Sequence, residues 1–201
     1  MKKKRVGIFG GTFNPPHIGH VGAAKAFIKA AALDKLVIMP DNLPPHKQLE
    51  GATSPIDRFV MCQRAFFNVK GAEISDFEIL NGGKSYTVIT LETFSNEDTE
   101  LFFLCGTDMF ITLKSWYNFK RIFELCTICL VRREKDDEID EKLLNLKNEY
   151  IESFNARIID VPVDVVDISS SEIRDSLKNR ENLGYLPENV FEYIIEKELY
   201  L

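Results

Sequence analysis

Two of the three histidines in this 201-residue chain, His17 and His20, stand three residues apart behind a glycine pair and a proline pair. The stretch Val6-Gly7-Ile8-Phe9-Gly10-Gly11-Thr12-Phe13-Asn14-Pro15-Pro16-His17-Ile18-Gly19-His20 reads as a short buried strand, a glycine turn, a stiff loop and a helix start. That order collects backbone N–H groups and two imidazoles at the positive end of a helix, beside the C-terminal edge of a sheet, where α/β proteins bind phosphate. Gly10 and Gly11 leave the backbone without a Cβ, and Pro15 and Pro16 brace the loop that follows. Imidazoles three apart share one helix face and can bind phosphate oxygens or protonate a leaving group. They could equally cap the helix, face solvent or begin a metal site, although no Cys, Asp or Glu stands nearby in sequence to complete one.

The elements that would position these groups follow from the apolar pattern. Lys4–Phe9 is predicted as a strand and Ile18–Leu33 as a helix packed through Val21, Ala24, Phe27, Ile28 and Ala31. With the strand Lys35–Met39 they make a βαβ unit, hence parallel strands joined by a right-handed crossover. Ser54 and Pro55 read as N-cap and first residue of a helix to about Val69, with Ile56, Phe59, Val60, Cys62, Ala65 and Phe66 inward. Ala72–Phe77 is predicted as a strand, Asn81–Lys84 as a turn and Ser85–Phe94 as a helix. Glu100–Cys105 and Cys126–Arg132 are apolar strands, with helices predicted over Met109–Leu113 and Asn118–Leu125 between them. A charged helix over 133–155, with Ile139, Leu143, Leu144 and Leu146 as its apolar side, leads to the strand Arg157–Val161. Helices at Ser169–Lys178 and Pro187–Glu198 close the chain. The alternation predicts a single α/β domain over 1–201: a Rossmann-like, doubly wound, mainly parallel sheet with helices on both faces and a small C-terminal helical part from about residue 167.

Composition narrows the function classes. The formal net charge of −6 argues against a protein that coats nucleic acid, and no apolar run is long enough for a signal peptide or membrane span. Cys126 and Cys129 form a C-x-x-C, but within a strand residues three apart point to opposite faces. All four cysteines lie in apolar surroundings and are expected to be reduced core residues of a cytoplasmic protein. Gly82-Gly83-Lys84-Ser85 imitates the tail of a P-loop, but Glu78 stands where that motif needs its first glycine. The dinucleotide fingerprint G-x-G-x-x-G is absent.

The segment Gly10–His20 resembles the G-x-F-[DN]-P-x-H-x-G-H signature of the nucleotidyltransferases. Further matches follow in order: Pro44-Pro45-His46-Lys47, Ser85-Tyr86-Thr87, Gly106-Thr107-Asp108, Trp116-Tyr117 and Ile168-Ser169-Ser170-Ser171-Glu172-Ile173-Arg174. Together they are similar to the bacterial nicotinate-nucleotide adenylyltransferases over nearly the full length. Two departures concern loop geometry: Asn14 stands where many members have Asp, and Lys84 where a proline commonly precedes Ser-Tyr-Thr.

The resemblance implies transfer of the AMP part of ATP to nicotinate mononucleotide, with Mg²⁺ accompanying ATP and no metal held by the protein. It implies His17, His20 and Arg174 as catalytic residues. Gly10, Gly11, Thr12, Phe13, Gly106, Asp108, Ile168, Ser169 and Ser170 would join them around ATP. Asn42, Lys47, Ser85, Tyr86, Thr87, Trp116, Tyr117 and Arg132 would meet the mononucleotide, Trp116 offering a flat face to a pyridinium ring. Other acceptors, nicotinamide mononucleotide or phosphopantetheine, and a non-catalytic nucleotide sensor are the competing readings. The partners expected are small molecules rather than nucleic acid or membrane, and self-association is left open.

Overall fold

The computed structural model describes residues 2–44, 53–132, 137–163, 168–179, 181 and 184–201. Within them lies a six-stranded parallel sheet of β1 (Lys4–Gly11), β2 (Lys35–Pro40), β3 (Ala72–Ile74), β4 (Thr99–Gly106), β5 (Cys126–Val131) and β6 (Arg157–Val161). Its order is β3-β2-β1-β4-β5-β6, the doubly wound arrangement expected from the alternation of elements. The direction of winding reverses between β1 and β4, so the crevice at the carboxyl ends of those two strands is the place for a ligand. β1 runs two residues further than its apolar pattern suggests, because Gly10 and Gly11 stay paired with Met39 and Pro40.

The strands alternate between two cores. Phe9, Leu36, Ile38, Phe102, Leu104 and Cys129 face one of them, which is completed by α1 (Ile18–Ala30), α2 (Pro55–Phe66), α8 (Ser170–Leu177) and α9 (Glu188–Glu196). Ile8, Val37, Met39, Leu101, Phe103 and Ile128 face the other, under α4 (Thr87–Phe94), α5 (Thr107–Thr112), α6 (Phe119–Leu125) and α7 (Asp137–Phe154). Cys126 belongs to the second core and Cys129 to the first, so the C-x-x-C points both ways, as its strand period requires. Burial pushes the Cys126 thiol up to about 12, which keeps it protonated and inert.

Several local expectations are corrected. The strand predicted over Ala72–Phe77 ends at Ile74, because the Ser75 hydroxyl accepts the Phe77 N–H (3.2 Å) and starts α3 (Phe77–Asn81). The turn at Asn81–Lys84 forms with Gly82 and Gly83 at φ +67° and +65°, backbone that residues with a Cβ adopt only under strain. Ile56, expected inward, is 66% exposed and Arg58 is buried instead, whereas Cys62, Ala65 and Phe66 are buried as expected. On α7 Leu144 is 58% exposed and Tyr150 takes the inward place, its hydroxyl donating to the Phe110 carbonyl (3.0 Å). α5 begins at Thr107 with Gly106 as its N-cap, so Asp108 lies inside the first turn. A single 3-10 turn, Leu113–Ser115, follows it.

Helix α1 lies close on β1 because residue 7 has no side chain. A Cβ at Gly7 would meet Leu33 Cδ1 at 2.4 Å and Phe27 Cε1 at 2.9 Å, whereas the nearest atom to one at Gly10 is 3.8 Å away. Gly7→Ala is therefore expected to destabilise the fold by about 1–3 kcal/mol, and Gly10→Ala by under about 1 kcal/mol, read from urea unfolding midpoints. Equal midpoints for the two variants would contradict this packing.

Candidate active site

The crevice between the ends of β1 and β4 is a cavity of about 390 Å³. Its walls come from segments far apart in sequence. Gly10, Gly11 and Thr12 supply the floor at the end of β1, and Asp41 and Pro44 follow β2. Glu78, Ser85, Tyr86 and Thr87 form one side. Phe103, Asp108, Met109, Thr112, Trp116, Tyr117 and Ile122 form the other. Trp116 is half-buried and stands edge-on to Phe103 (centroids 6.2 Å, 74°), which leaves an indole surface toward the cavity. Tyr117 packs on Tyr86 (5.0 Å), joining the two sides.

One buried ion pair holds the floor to the wall. Arg58 of α2 is 0% exposed, and its Nη1 donates to Asp41 Oδ1 (2.9 Å) and to the Thr12 carbonyl (2.8 Å). Its Nη2 donates to the carbonyls of Asp41 (2.8 Å) and Asn42 (3.1 Å). The Thr12 hydroxyl donates to the second carboxylate oxygen of Asp41 (2.8 Å), and the Asp41 N–H to the Gly11 carbonyl (3.0 Å). A charged pair out of water is tolerable only when most of its hydrogen-bonding capacity is used; here both Nη atoms and both carboxylate oxygens are engaged, while the buried Nε of Arg58 has no partner among the described residues. Neither residue figures among those predicted for the site. The signal was present for Arg58, which sits on the apolar stripe of α2 three, four, seven and eight residues before Met61, Cys62, Ala65 and Phe66.

A second cluster lies on the loop between β1 and α1. His17 is the N-cap of α1 and 1% exposed; its backbone N–H donates to Nδ1 of His20 (3.2 Å), and the rings lie 3.8 Å apart. With Nδ1 accepting, the neutral His20 ring carries its proton on Nε2, where it can donate to an anion. Phe13 has φ +49° and its ring is buried against His20, Phe9 and Phe66, so only its backbone is open to a ligand. Asn14-Pro15 is a cis peptide bond.

The N-terminus of α8 docks on this loop. Ser169 caps it in a capping box with Glu172, and the Ser170 hydroxyl donates to the Pro15 carbonyl (3.0 Å). Arg174 Nη1 donates to the Asn14 carbonyl (2.9 Å) and Nη2 to the Ser171 hydroxyl (3.1 Å). Both acceptors are neutral, so these bonds orient the guanidinium without cancelling its charge. Ile168 packs partly against the core beneath. Tyr200, unanticipated, donates to Asn14 Oδ1 (2.7 Å), and the Ile18 N–H donates to the Tyr185 carbonyl (2.9 Å).

The structure thus sorts the predicted residues into two groups. Gly10, Gly11, Thr12, Ser85, Tyr86, Thr87, Asp108, Trp116 and Tyr117 line the cavity. His17, His20, Ser169, Ser170 and Arg174 gather beside it around Asn14 and Pro15. Asn42 stands at the rim, its N–H donating to the Ser85 hydroxyl (2.9 Å), and Gly106 caps α5. Arg132 does not line the cavity; it follows β5, one strand beyond the crevice, and pairs with Asp140. Lys47 and His46 lie outside the described residues. Among the described residues no group of three His, Cys, Asp or Glu could hold a metal ion, and no helix is long and apolar enough to cross a membrane.

Comparison with known proteins gives the family. The Cytidylyltransferase-like family matches residues 8–176. The "Probable nicotinate-nucleotide adenylyltransferase" of Clostridium novyi (strain NT) is 38% identical over 203 residues, covering all of both chains. The chain belongs to the nicotinate-nucleotide adenylyltransferase family. A relative of the same name from Fusobacterium nucleatum is 36% identical over 96% of this chain and 98% of its own. Among solved structures, the Plasmodium falciparum nicotinic acid mononucleotide adenylyltransferase complexed with APC has a TM-score of 0.73 at 18% identity, covering 98% of this chain and 97% of that one. That likeness shows the fold.

Replacing Arg58 by Met would leave the Asp41 carboxylate buried and unpaired. Arg58→Met is expected to cost about 3–5 kcal/mol, and the double variant Arg58→Met, Asp41→Asn to recover part of it, in chemical denaturation. A loss below about 1 kcal/mol for the single variant would show that the pair does not carry the site floor.

Proposed function

We propose that this chain, as a nicotinate-nucleotide adenylyltransferase, joins the AMP part of ATP to nicotinate mononucleotide and releases pyrophosphate. The observation that carries the reading is the crevice itself. An aromatic, mostly apolar cavity with a helix start on one side is continuous with the glycine floor at the end of β1, and two imidazoles and an arginine stand next to that floor. The apolar part suits a pyridine ring, and the floor and its neighbours suit phosphates.

The mononucleotide phosphate would attack the α-phosphorus of ATP in line, displacing pyrophosphate without a covalent enzyme intermediate. The protein's task is then to bring two anions together and to stabilise charge on the phosphoryl oxygens. His20, its Nδ1 held by the His17 N–H, serves the α-phosphate, beside His17. Arg174 and the capped start of α8 serve the outgoing phosphates, with the planar guanidinium matching two oxygens at once. The backbone of Gly10–Phe13 runs along the nucleotide, with Gly106 and Asp108 at its ribose and Ile168, Ser169 and Ser170 at the far side. Trp116 stacks on the nicotinate ring, and the helix start at Ser85–Thr87 offers a hydroxyl and N–H groups to its carboxylate, with Tyr117 and Asn42 shaping that end. Mg²⁺ enters with ATP, held by phosphate oxygens and water, a mode that needs no protein cage. The small-molecule substrates fit a protein of the cytoplasm.

The deciding measurement is pyrophosphate release from Mg-ATP with nicotinate or nicotinamide mononucleotide as separate acceptors. A strong preference for the acid is expected; equal rates would discard this account of acceptor recognition, and no release with either would favour a nucleotide sensor. His20→Ala is expected to lower kcat by about 10²-fold or more with ATP affinity little changed. Equal loss in both would remove its transition-state role. Trp116→Ala should raise KM for the mononucleotide and leave that for ATP nearly unchanged.

A further inference from the structure

The cavity holds one group that adenylyl transfer does not call for. Glu78 lines its acceptor side, beside Ser85, Tyr86 and Thr87, although the incoming mononucleotide would carry negative charge on both its carboxylate and its phosphate. Helix α3, which bears Glu78, has no fully buried residue: Phe77 packs partly against the second core and on Phe94 (centroids 6.2 Å), and Leu80 stands largely in solvent. What it brings to the site is this carboxyl.

The carboxyl is the hub of a chain of hydrogen bonds. The Thr90 hydroxyl, in the first turn of α4, donates to Oε1. The Ser85 hydroxyl stands near the same carboxyl, close enough to favour its charged form, and its oxygen accepts the N–H of Asn42 (2.9 Å). The Ser85 N–H donates to the Leu43 carbonyl (2.9 Å), and the Asn42 side-chain amide to the Gly83 carbonyl (3.0 Å). A hydroxyl is a free rotor until donor and acceptor partners fix it. Here Glu78 fixes the Thr90 hydroxyl inside α4 and shares the cavity wall with Ser85 just before that helix, and so bears on how the segment 85–87 enters it. Burial raises the carboxyl's hold on a proton; the hydroxyls of Thr90 and Ser85 oppose this, and the charge of Asp41 adds to it.

Resting on the acceptor assignment above, we propose that Glu78 is a positioning residue for the acceptor: by holding the Thr90 hydroxyl and flanking Ser85 it sets the pose of Ser85–Thr87 against the mononucleotide, and it has no part in binding ATP. Loss of the hub frees the Thr90 hydroxyl and the entry to α4, which should weaken acceptor binding by about tenfold.

Three variants test it: E78A, E78Q and S85A, each checked by thermal unfolding. The readouts are KM for each substrate and, without turnover, the Kd of nicotinate mononucleotide by calorimetry. E78A should raise KM and Kd for the mononucleotide about tenfold, with KM for ATP and kcat within about twofold of wild type. E78Q keeps a carbonyl acceptor and should recover most of the loss. S85A should raise the mononucleotide constants severalfold on its own, and add little in the E78A background. Unchanged acceptor constants in E78A, an equal rise in both KM values, or additive losses in the double variant would overturn the proposal. If E78A does not fold, an unchanged acceptor constant in S85A overturns it equally. Wild-type protein that binds the mononucleotide but releases no pyrophosphate would sink the proposed reaction and leave this inference to the calorimetry.

Discussion

Everything in the crevice depends on a guanidinium that never reaches it. Arg58 is wholly buried, and its bonds end on Thr12, on Asp41 twice and on Asn42. The carboxylate oxygen it leaves free is taken by the Thr12 hydroxyl. The two chain segments leaving β1 and β2 are therefore one mechanical unit. A buried pair of this kind contributes little net stability compared with an apolar substitute, but breaking one side of it is costly. What it secures is position: the glycine floor cannot shift without unpairing a charge.

The two halves of the proposed site, one for phosphate and one for the acceptor, are held by different means. The phosphate side is tied by short polar contacts converging on one loop. Ser170 and Arg174 hold the carbonyls of Pro15 and Asn14, Tyr200 holds the Asn14 side chain, and His17 holds the ring of His20. The acceptor side is assembled from the loops after β2 and β4 and from the α3–α4 connection, with aromatic packing across it. For a transfer with no covalent intermediate, such pre-set geometry is the main source of rate. The fixed loop suits the shared phosphoryl chemistry, and the composite pocket suits recognition of one particular acceptor.

Much of this was legible in the residues. The strand–helix alternation predicted the parallel sheet, because each apolar run of strand length was followed by a helix-period segment. The strand period placed Cys126 and Cys129 on opposite faces, and Ser54 and Ser169 appear as the caps their positions suggested. Other features were hidden for identifiable reasons. Arg58 was overlooked because a charge on a helix is ordinarily a surface residue, and only its place on the apolar stripe argued otherwise. Glu78 falls just after the strand predicted over Ala72–Phe77, and the turn chemistry of Ser75 that starts a helix there acts over two residues, too locally for periodicity to register. Arg132, read as near the mononucleotide from its position at a strand end, pairs with Asp140 because β5 is one strand beyond the switch point.

By itself the sequence determined the class of fold, the order of its elements and the loop with His17 and His20, because these rest on periodicity, turn residues and motifs read within a few positions. Tertiary structure decided which distant residues share a wall. That Gly10 and Trp116 line one cavity, that Ser170 meets Pro15 and that Arg58 meets Asp41 depends on strand order and on the rotation of each helix about its axis. Those are settled by packing against the whole sheet, where a rotation that exposes Ile56 also buries Arg58, and no window of sequence contains both sides of such a contact.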